Sequence, residues 1–382
     1  MTDKKLLLAY LTKPLEGLRP YLNNVPQMPI SMALNLTKDF FLIYEISTDE
    51  TPQHWIDYVL MELPEKLKEK LRNRTAIVYY DQSREGFPMA NNFDKLYKAF
   101  EKLDLPPSQF VFSTSNLLET DIHDSWCNQQ SIEDRILVIS ANFFAALTAQ
   151  QNLYKGEITT GEHLAYKSSH NINLFNCLNR VLREHRICFL AMLNYYDLLD
   201  SNKVSHNTFS YETKIDHPAF ENINMNDVLS KLPLILDSDE FEVNKAHIFY
   251  KEVYLDSWIT VVTETMATED NTMFFSEKIY KPIMARHPFI IVGLPGSLRQ
   301  LKEQGLRTFD AWWDESYDDI ENVTDRLDAI CKVLMSLQTK SKEYWFDIYN
   351  EMSSVLEHNY TQLHSRNWVE PLTAWTTKLT ND

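Results

Sequence analysis

Short apolar runs separated by longer mixed segments set the pattern along the first part of the chain. "FFLIYEI" (40–46), "TAIVYYD" (75–81), "QFVFSTS" (109–115) and "RILVIS" (135–140) are rich in β-branched and aromatic residues and predict strands. Between them, "PQHWIDYVLMELPEKLKEKLRN" (52–73) and "NNFDKLYKAFEKLDLP" (91–106) place apolar residues at helical spacing with charged faces between, and predict helices. Strands alternating with helices predict a parallel sheet covered on both faces.

The pattern pauses over "QQNLYKGEITTGEHLAYKSSHN" (150–171), which is polar and holds two of the chain's seven glycines, and a domain boundary is expected there. It then restarts. "INLFNCLN" (172–179), "SWITVVTET" (257–265) and "PFIIVG" (288–293) predict strands, "HRICFLAMLNYYDLL" (185–199) a helix, and "GSLRQLKEQG" (296–305) a short helix closed by Gly305. The tail, 325–379, predicts helices with apolar stripes in "RLDAICKVLMSL" and "YWFDIYNEMSSVLEHNY". Two alternating halves without an internal repeat predict an α/β protein of two Rossmann-like domains facing across a cleft. The expected division is 1–165 for the first domain, 166–340 for the second and 341–382 for C-terminal helices.

Length and composition agree: 382 residues exceed one ordinary core, and 44% hydrophobic residues suit a folded globular protein. No apolar run approaches the roughly 20 residues of a membrane span, and the apolar core of "MTDKKLLLAYLTKPLEGLRP" is too short for a signal peptide, so the chain reads as cytoplasmic. The four cysteines show no CxxC spacing and read as packed thiols. A formal charge of −17 argues against broad nucleic-acid binding while leaving room for a local basic groove. Neither GxGxxG nor GxxxxGK[ST] occurs, so any phosphate must be held by side chains and helix ends.

Candidate chemistry gathers in "FFSEKIYKPIMARHPFIIVG" (274–293). Ser276 suits an N-cap, which places Glu277 and Lys278 in the first turn of a helix whose free N–H groups attract anions, with Lys281 near by. Pro282 predicts that this helix is short or bent. Upstream, Glu264 ends the strand "SWITVVTET", where open parallel sheets bind ligands. A carboxylate there can accept the two hydroxyls of a ribose while a lysine neutralises phosphate; the plainer reading is a solvated Glu/Lys pair. A second basic cluster, "NRVLREHR" (179–186), brings Arg180, Arg183, His185 and Arg186 to a strand end, as a diphosphate clamp or as surface ion pairs.

The pairing of "VTET" (262–265) with "FFSEKIYKPIMARHPFIIVG" resembles the donor-binding segment of the alpha-1,3-fucosyltransferase family, with Ser276 where that family carries Thr and with Pro282 where it has no proline. "FNCLNRVLREHR", "SEKIYKPI", "PFIIVGLPGSLRQLKEQGLRTFD" and "WWDESYDDI" together are also similar to uncharacterised glycosyltransferase-like proteins of phages and bacteria over most of 167–335. The resemblance implies the GT-B architecture, with 1–165 as the acceptor domain, 166–340 as the nucleotide-sugar donor domain and the helices of 341–382 packing back on the first domain. It further implies that Glu277 binds ribose, Lys278 a phosphate, Arg180 or Arg186 the diphosphate, and that Glu264 belongs to the donor region.

An inverting sugar transfer needs a base for the acceptor proton. At expected strand ends of the first half stand Asp81 and Glu85 in "YYDQSREGF", and Glu119 and His123 in "STSNLLETDIHDSW"; each also reads as a turn or capping residue. Glu85 stands out because Gly86 allows a ligand close to the backbone. Asp237 and Asp239 have the DxD spacing of a metal site without a supporting ligand cluster, "DESYDDIEN" (314–322) reads as a solvated acidic face, and no metal site is expected. The aromatics of "AWWDESY" and "KEYWFDIY" read as core or domain-interface residues. The expected activity is metal-independent, inverting sugar transfer from a nucleotide sugar, UDP- or GDP-linked, with no further cofactor, to a glycan or other hydroxyl acceptor. Two alternatives are a phage-type enzyme glycosylating hydroxymethylated bases of DNA, for which "PEKLKEKLRNR" (64–74) is the notable basic run, and a binding protein of the same fold without catalysis.

Overall fold

The computed structural model describes residues 5–10, 20–22, 24–36, 40–47, 51–150, 158–207, 223–236 and 250–381. Asp237 and Asp239 lie outside the described residues. The chain forms two compact units, one made of Met1–Phe143, Asp270–Phe274 and Asn367–Asp382, the other of Phe144–Glu269 and Phe275–Arg366.

The first unit is built on a parallel sheet of β1 (Lys5–Tyr10), β2 (Gln27–Pro29), β3 (Phe40–Ser47), β4 (Ala76–Gln82), β5 (Phe110–Thr114) and β6 (Leu137–Ser140) in the order β2-β1-β3-β4-β5-β6. Every residue of β4 is buried, as expected for a central strand covered on both faces. Alternation divides its two tyrosines. Tyr80 joins the apolar core with Val78, Phe110, Phe112 and Trp55, whose ring stacks on it at 4.5 Å. Tyr79 faces the other way and stacks at 5.5 Å on Trp375 of the C-terminal helix Glu370–Asn381.

Helices α1 (Glu65–Arg72), α2 (Phe93–Leu103) and α3 (Glu119–Gln129) supply covering faces, with Leu67, Leu71, Phe93, Leu96 and Phe100 turned into the core. Two basic residues of α1 have acidic partners, Lys68 with Glu65 at 2.8 Å and Arg72 at 3.6 Å from Asp104, while Lys66 donates to Asn35 at 3.0 Å. Glu119 and His123 lie on α3 rather than at strand ends, because the chain turns helical soon after β5.

The second unit holds a parallel sheet of β7 (Asn173–Leu178), β8 (Lys203–Ser205), β9 (Ser257–Thr263) and β10 (Phe289–Val292), in the order β10-β9-β7-β8. Two all-parallel sheets with helical crossovers make the protein α/β with two Rossmann-like domains. Around the second sheet run α4 (Glu184–Tyr195), α5 (Glu277–Met284), α6 (Ser297–Glu303), α7 (Val323–Gln338) and α8 (Lys342–Ser365). Trp313, Tyr317, Trp345 and Tyr349 are all buried, so these aromatics serve the core.

The acidic run 314–322 is only partly a solvated face. The Asp318 carboxylate accepts from the Leu298 and Arg299 amides at 2.9 and 3.1 Å and caps α6, while Glu315 accepts from the Phe309 amide at 2.7 Å. Those amides attract carboxylates, which draws the two acids inward. No helix among the described residues is long and apolar enough to cross a membrane.

Candidate nucleotide site

From β7 the sheet of the second unit extends one way to β8 and the other way to β9 and β10, so the topological switch point lies between β7 and β9. In open α/β sheets the crevice beyond the carboxyl ends at that point is where ligands bind. The two strand ends are tied together there: the Thr263 hydroxyl donates to Asn179 Oδ1.

Glu264 follows at once and is buried. Its Oε2 accepts from the Ser276 amide at 3.1 Å, the Ser276 hydroxyl at 2.5 Å and the Thr265 amide at 3.3 Å. Oε1 is buried with no hydrogen-bond partner. Burial pushes this carboxyl up from its ordinary range, against the pull of Lys278 and of the bonds from Ser276.

Ser276 caps α5 as the sequence predicts. Its Oγ accepts from the Lys278 amide at 3.4 Å while donating to Glu264, so one hydroxyl joins the helix start to the end of β9. Lys278 Nζ lies 3.1 Å from Glu277 Oε1, 3.2 Å from Ser276 Oγ and 3.4 Å from Thr265 Oγ1, and its side chain stays 28% exposed, so the ammonium is held in place yet reachable. Burial would raise the Glu277 carboxyl, but Lys278 and Lys281 outweigh it and hold the group below its ordinary value, ionised at neutral pH. Lys281 is half-buried one turn further along. Pro282 stands inside the helix and cannot donate to the Lys278 carbonyl. The helix is accordingly short, at eight residues, and closes with the His287 amide on the Pro282 carbonyl at 2.9 Å.

The arginine cluster divides by burial. Arg186 is buried and directs its guanidinium to backbone carbonyls, Val181 at 2.9 Å and Thr263 and Glu264 at 3.0 Å each. His185 donates from Nε2 to the Glu264 carbonyl at 3.0 Å, and burial pushes its imidazole down to about 4. These two residues fix the end of β9 from below. Arg183, at the start of α4, is exposed, and Arg180 is half-buried with its carbonyl accepting from Asn207 Nδ2 at 2.9 Å. Arg326 repeats the use made of Arg186: Nε donates to the Gly293 carbonyl at 3.1 Å and a terminal nitrogen to the Ala267 carbonyl at 2.6 Å. Asn179, Thr263, Thr265 and Arg326 were not foreseen. The polar residues closing "INLFNCLN" and "SWITVVTET" were the available signal for the first three.

In the first unit, Asp81 and Glu85 stand at the carboxyl end of β4. Asp81 is buried and its Oδ1 accepts from the Ser83 amide at 3.0 Å. The Glu85 carbonyl accepts from the Ser115 amide at 3.1 Å and the Thr114 hydroxyl at 3.4 Å. The open space at Gly86 has a different use from the one expected: a Cβ there would lie 2.6 Å from Phe274, so the glycine admits a ring of the protein itself. His123 is enclosed, with Nε2 at 3.0 Å from the Tyr97 hydroxyl and 3.3 Å from Cys127 Sγ, and burial pushes it down to about 4. Glu119 is also buried and accepts from the Met89 amide at 3.1 Å and from Asn116 Nδ2 at 2.8 Å; burial pushes it up to about 7. Among the described residues, no group of three or more His, Cys, Asp or Glu could hold a metal ion.

No family model matches the chain, and no curated protein matches it. Among solved structures it is similar to the trehalose-6-phosphate synthase OtsA, at 13% identity and a TM-score of 0.45 over 90% of this chain and 73% of that one. A UDP-forming alpha,alpha-trehalose-phosphate synthase from Burkholderia vietnamiensis matches at 12% identity and 0.45, over 92% and 75%. The catalytic domain of starch synthase IV from Arabidopsis thaliana, bound to ADP and acarbose, matches at 11% identity and 0.37, over 88% and 73%. The likeness is a loose one of fold.

Proposed function

We propose that the second unit binds a nucleotide sugar at the carboxyl ends of β7 and β9, and that the protein is a GT-B glycosyltransferase transferring the sugar to a hydroxyl acceptor. The observation that carries this reading is the Lys278 ammonium, held by Glu277, Ser276 and Thr265 yet reachable at the switch point of a parallel sheet. Glu277, kept ionised, accepts the ribose hydroxyls; Lys278 and Lys281 neutralise phosphate; Arg180 and Arg183 add charge to the diphosphate. Glu264 and Arg186 act beneath the ligand by fixing Ser276 and the end of β9. The nucleotide is a uridine or guanosine diphosphate.

The transfer inverts. A base takes the proton of the acceptor hydroxyl as its oxygen attacks the anomeric carbon, and the bond to the diphosphate breaks with the electron pair leaving on phosphate oxygen. Asp81 and Glu85 are favoured over His123 as that base. They stand at a strand's carboxyl end, whereas Tyr97, Cys127 and Phe93 surround the imidazole.

Calorimetry and thermal shift with UDP-, GDP-, ADP-, CMP- and dTDP-sugars test the reading on wild type, Lys278→Ala and Glu277→Ala. One diphosphate sugar should stabilise the wild type, by about 2.7 kcal/mol at a hundredfold excess over Kd. Each variant should weaken its binding about tenfold or more. No binding to wild type at millimolar concentration would remove the proposal.

A further inference from the structure

Helix α5 carries Glu277, Lys278 and Lys281, and its two ends are held by different parts of the second unit. Glu264 fixes the first end through Ser276. Beyond that end the helix lacks the bond that Pro282 cannot make to the Lys278 carbonyl, so a cap at the start does not by itself fix the direction of the last turn. Lys281 stands beside that gap, and its place depends on a second point of support.

Where α5 closes, the chain ceases to be helical and its last carbonyls take donors from elsewhere. Two buried side chains supply them: His163 Nε2 donates to the Ala285 carbonyl at 2.7 Å and the Tyr349 hydroxyl to the Arg286 carbonyl at 2.8 Å. The Ala285 amide donates in turn to the Lys281 carbonyl at 2.9 Å, so the residue that His163 holds is bonded back to Lys281. A carbonyl only accepts, so Nε2 carries the proton of the His163 ring and Nδ1 its lone pair. Nδ1 is buried without a partner, and among the described residues the bond to Ala285 is the only hydrogen bond this imidazole makes. Arg286 has a positive φ of 47°, a conformation that residues other than glycine adopt where their surroundings hold them in it. Its guanidinium carbon lies 3.5 Å from the centre of the Tyr360 ring, and it pairs with Glu357 at 2.8 Å. His287 Nε2 donates to the Ser257 carbonyl of β9 at 2.9 Å. The helix Thr160–Ser169, α8 and β9 thus converge on three consecutive residues, 285–287, all within the second unit.

We propose that His163 and Tyr349 are positioning residues for Lys281. With Ser276 fixed at one end and residues 285 and 286 at the other, two points set the axis of α5, and Lys281, the charge nearer the second point, is held in place against a phosphate. The inference rests on the proposed donor site for its functional half and on the hydrogen bonds alone for its structural half.

The experiment is a double-mutant cycle read by calorimetry on affinity for the stabilising nucleotide sugar: wild type, His163→Leu, Lys281→Ala and the two combined, with hydrogen–deuterium exchange of the peptide 277–287 followed alongside. His163→Leu should raise that exchange and weaken binding about fivefold, and in the Lys281→Ala background the same change should weaken it by less than about twofold, because the group it places is gone. His163→Gln, whose amide can donate to the Ala285 carbonyl, should return the affinity to within about twofold of wild type. Tyr349→Phe, which removes a single hydroxyl, should act as His163→Leu does and carries the cycle should that variant not fold. A loss of the same size with and without Lys281 would show a merely structural role and overturn the inference, as would wild-type affinity or wild-type exchange in 277–287 for both His163→Leu and Tyr349→Phe; each of these results leaves the donor site standing. A wild type that binds no nucleotide sugar removes the donor site, and the positioning claim with it.

Discussion

Glu264 separates shape from charge at the candidate site. Three donors converge on its Oε2, and two of them belong to Ser276. Replacing it with alanine leaves the buried Ser276 amide without its acceptor, at a cost of about 1 to 3 kcal/mol, and frees the N-cap hydroxyl to turn away from Lys278. Glutamine keeps an acceptor for Ser276. Glu264→Ala should therefore lower Tm and weaken nucleotide binding, and Glu264→Gln should keep both close to wild type; equal losses in the two variants would show that the charge between Lys278 and Arg186 matters more than the bond. The same residue marks what was legible at this scale. A strand-end carboxylate, an N-cap serine and a first-turn lysine announce themselves by type and position. Arg186 and Arg326 do not, because a charged side chain in a sequence says nothing of whether its partner is a phosphate or a row of backbone carbonyls. His163 was invisible for the same reason: its partner, Ala285, is 122 residues away.

Among the elements, β3 to β7, β9 and β10 could be read from the chain because buried parallel strands are near-continuous runs of β-branched and aromatic residues. Strands β2 and β8 have three residues each, too few for any period to show, and the short apolar run of β1 carries no alternation that marks it as a strand. Gly86 shows how a residue read correctly as special can be given the wrong neighbour. Its missing Cβ makes room for Cβ, Cγ and Cδ2 of Phe274, all at 2.6 Å from where a side chain would begin. Since one of these atoms is the Cβ, no rotation of the ring relieves the clash. Gly86→Ala should cost about 1 to 3 kcal/mol and displace segment 270–274 or the loop 83–89. Denaturant unfolding measures the loss, and a variant as stable as wild type would mean that the two segments do not meet in solution.

Taken as a whole, the molecule holds histidines that burial keeps neutral, and their distribution makes the two units respond differently to acid. In the second unit burial pushes His163 down to about 3 and His185 to about 4, and lowers His206 and His287 as well. An unfolded chain takes up protons on these groups below about pH 6.5, where the folded unit does not, so their contribution is complete above that pH and is lost as pH falls toward the folded values. Glu264, Glu315 and Asp318, raised by burial, act with the opposite sign, since they oppose folding at neutrality and cease to do so once protonated. Glu277, held below its ordinary value by Lys278 and Lys281, acts in the same sense as the four histidines, so the expected effect of acidification on the second unit is loss of stability. In the first unit the balance is closer: Glu119, pushed up to about 7, gains a proton in the folded state over the same range in which His123, pushed down to about 4, fails to take one. Each changes the proton difference by about one, in opposite directions, and the two cancel between about pH 5 and pH 6. Lowering the pH from about 7 to about 5.5 should therefore shorten hydrogen-exchange protection in β7 and β9 while leaving that in β4 and β5 nearly unchanged, after correction for intrinsic rates. Equal loss in both sheets would mean that the buried histidines of the second unit do not govern its acid stability. With Glu119→Gln the cancelling carboxyl is gone, and protection of β4 and β5 should then fall with pH as His123 alone dictates.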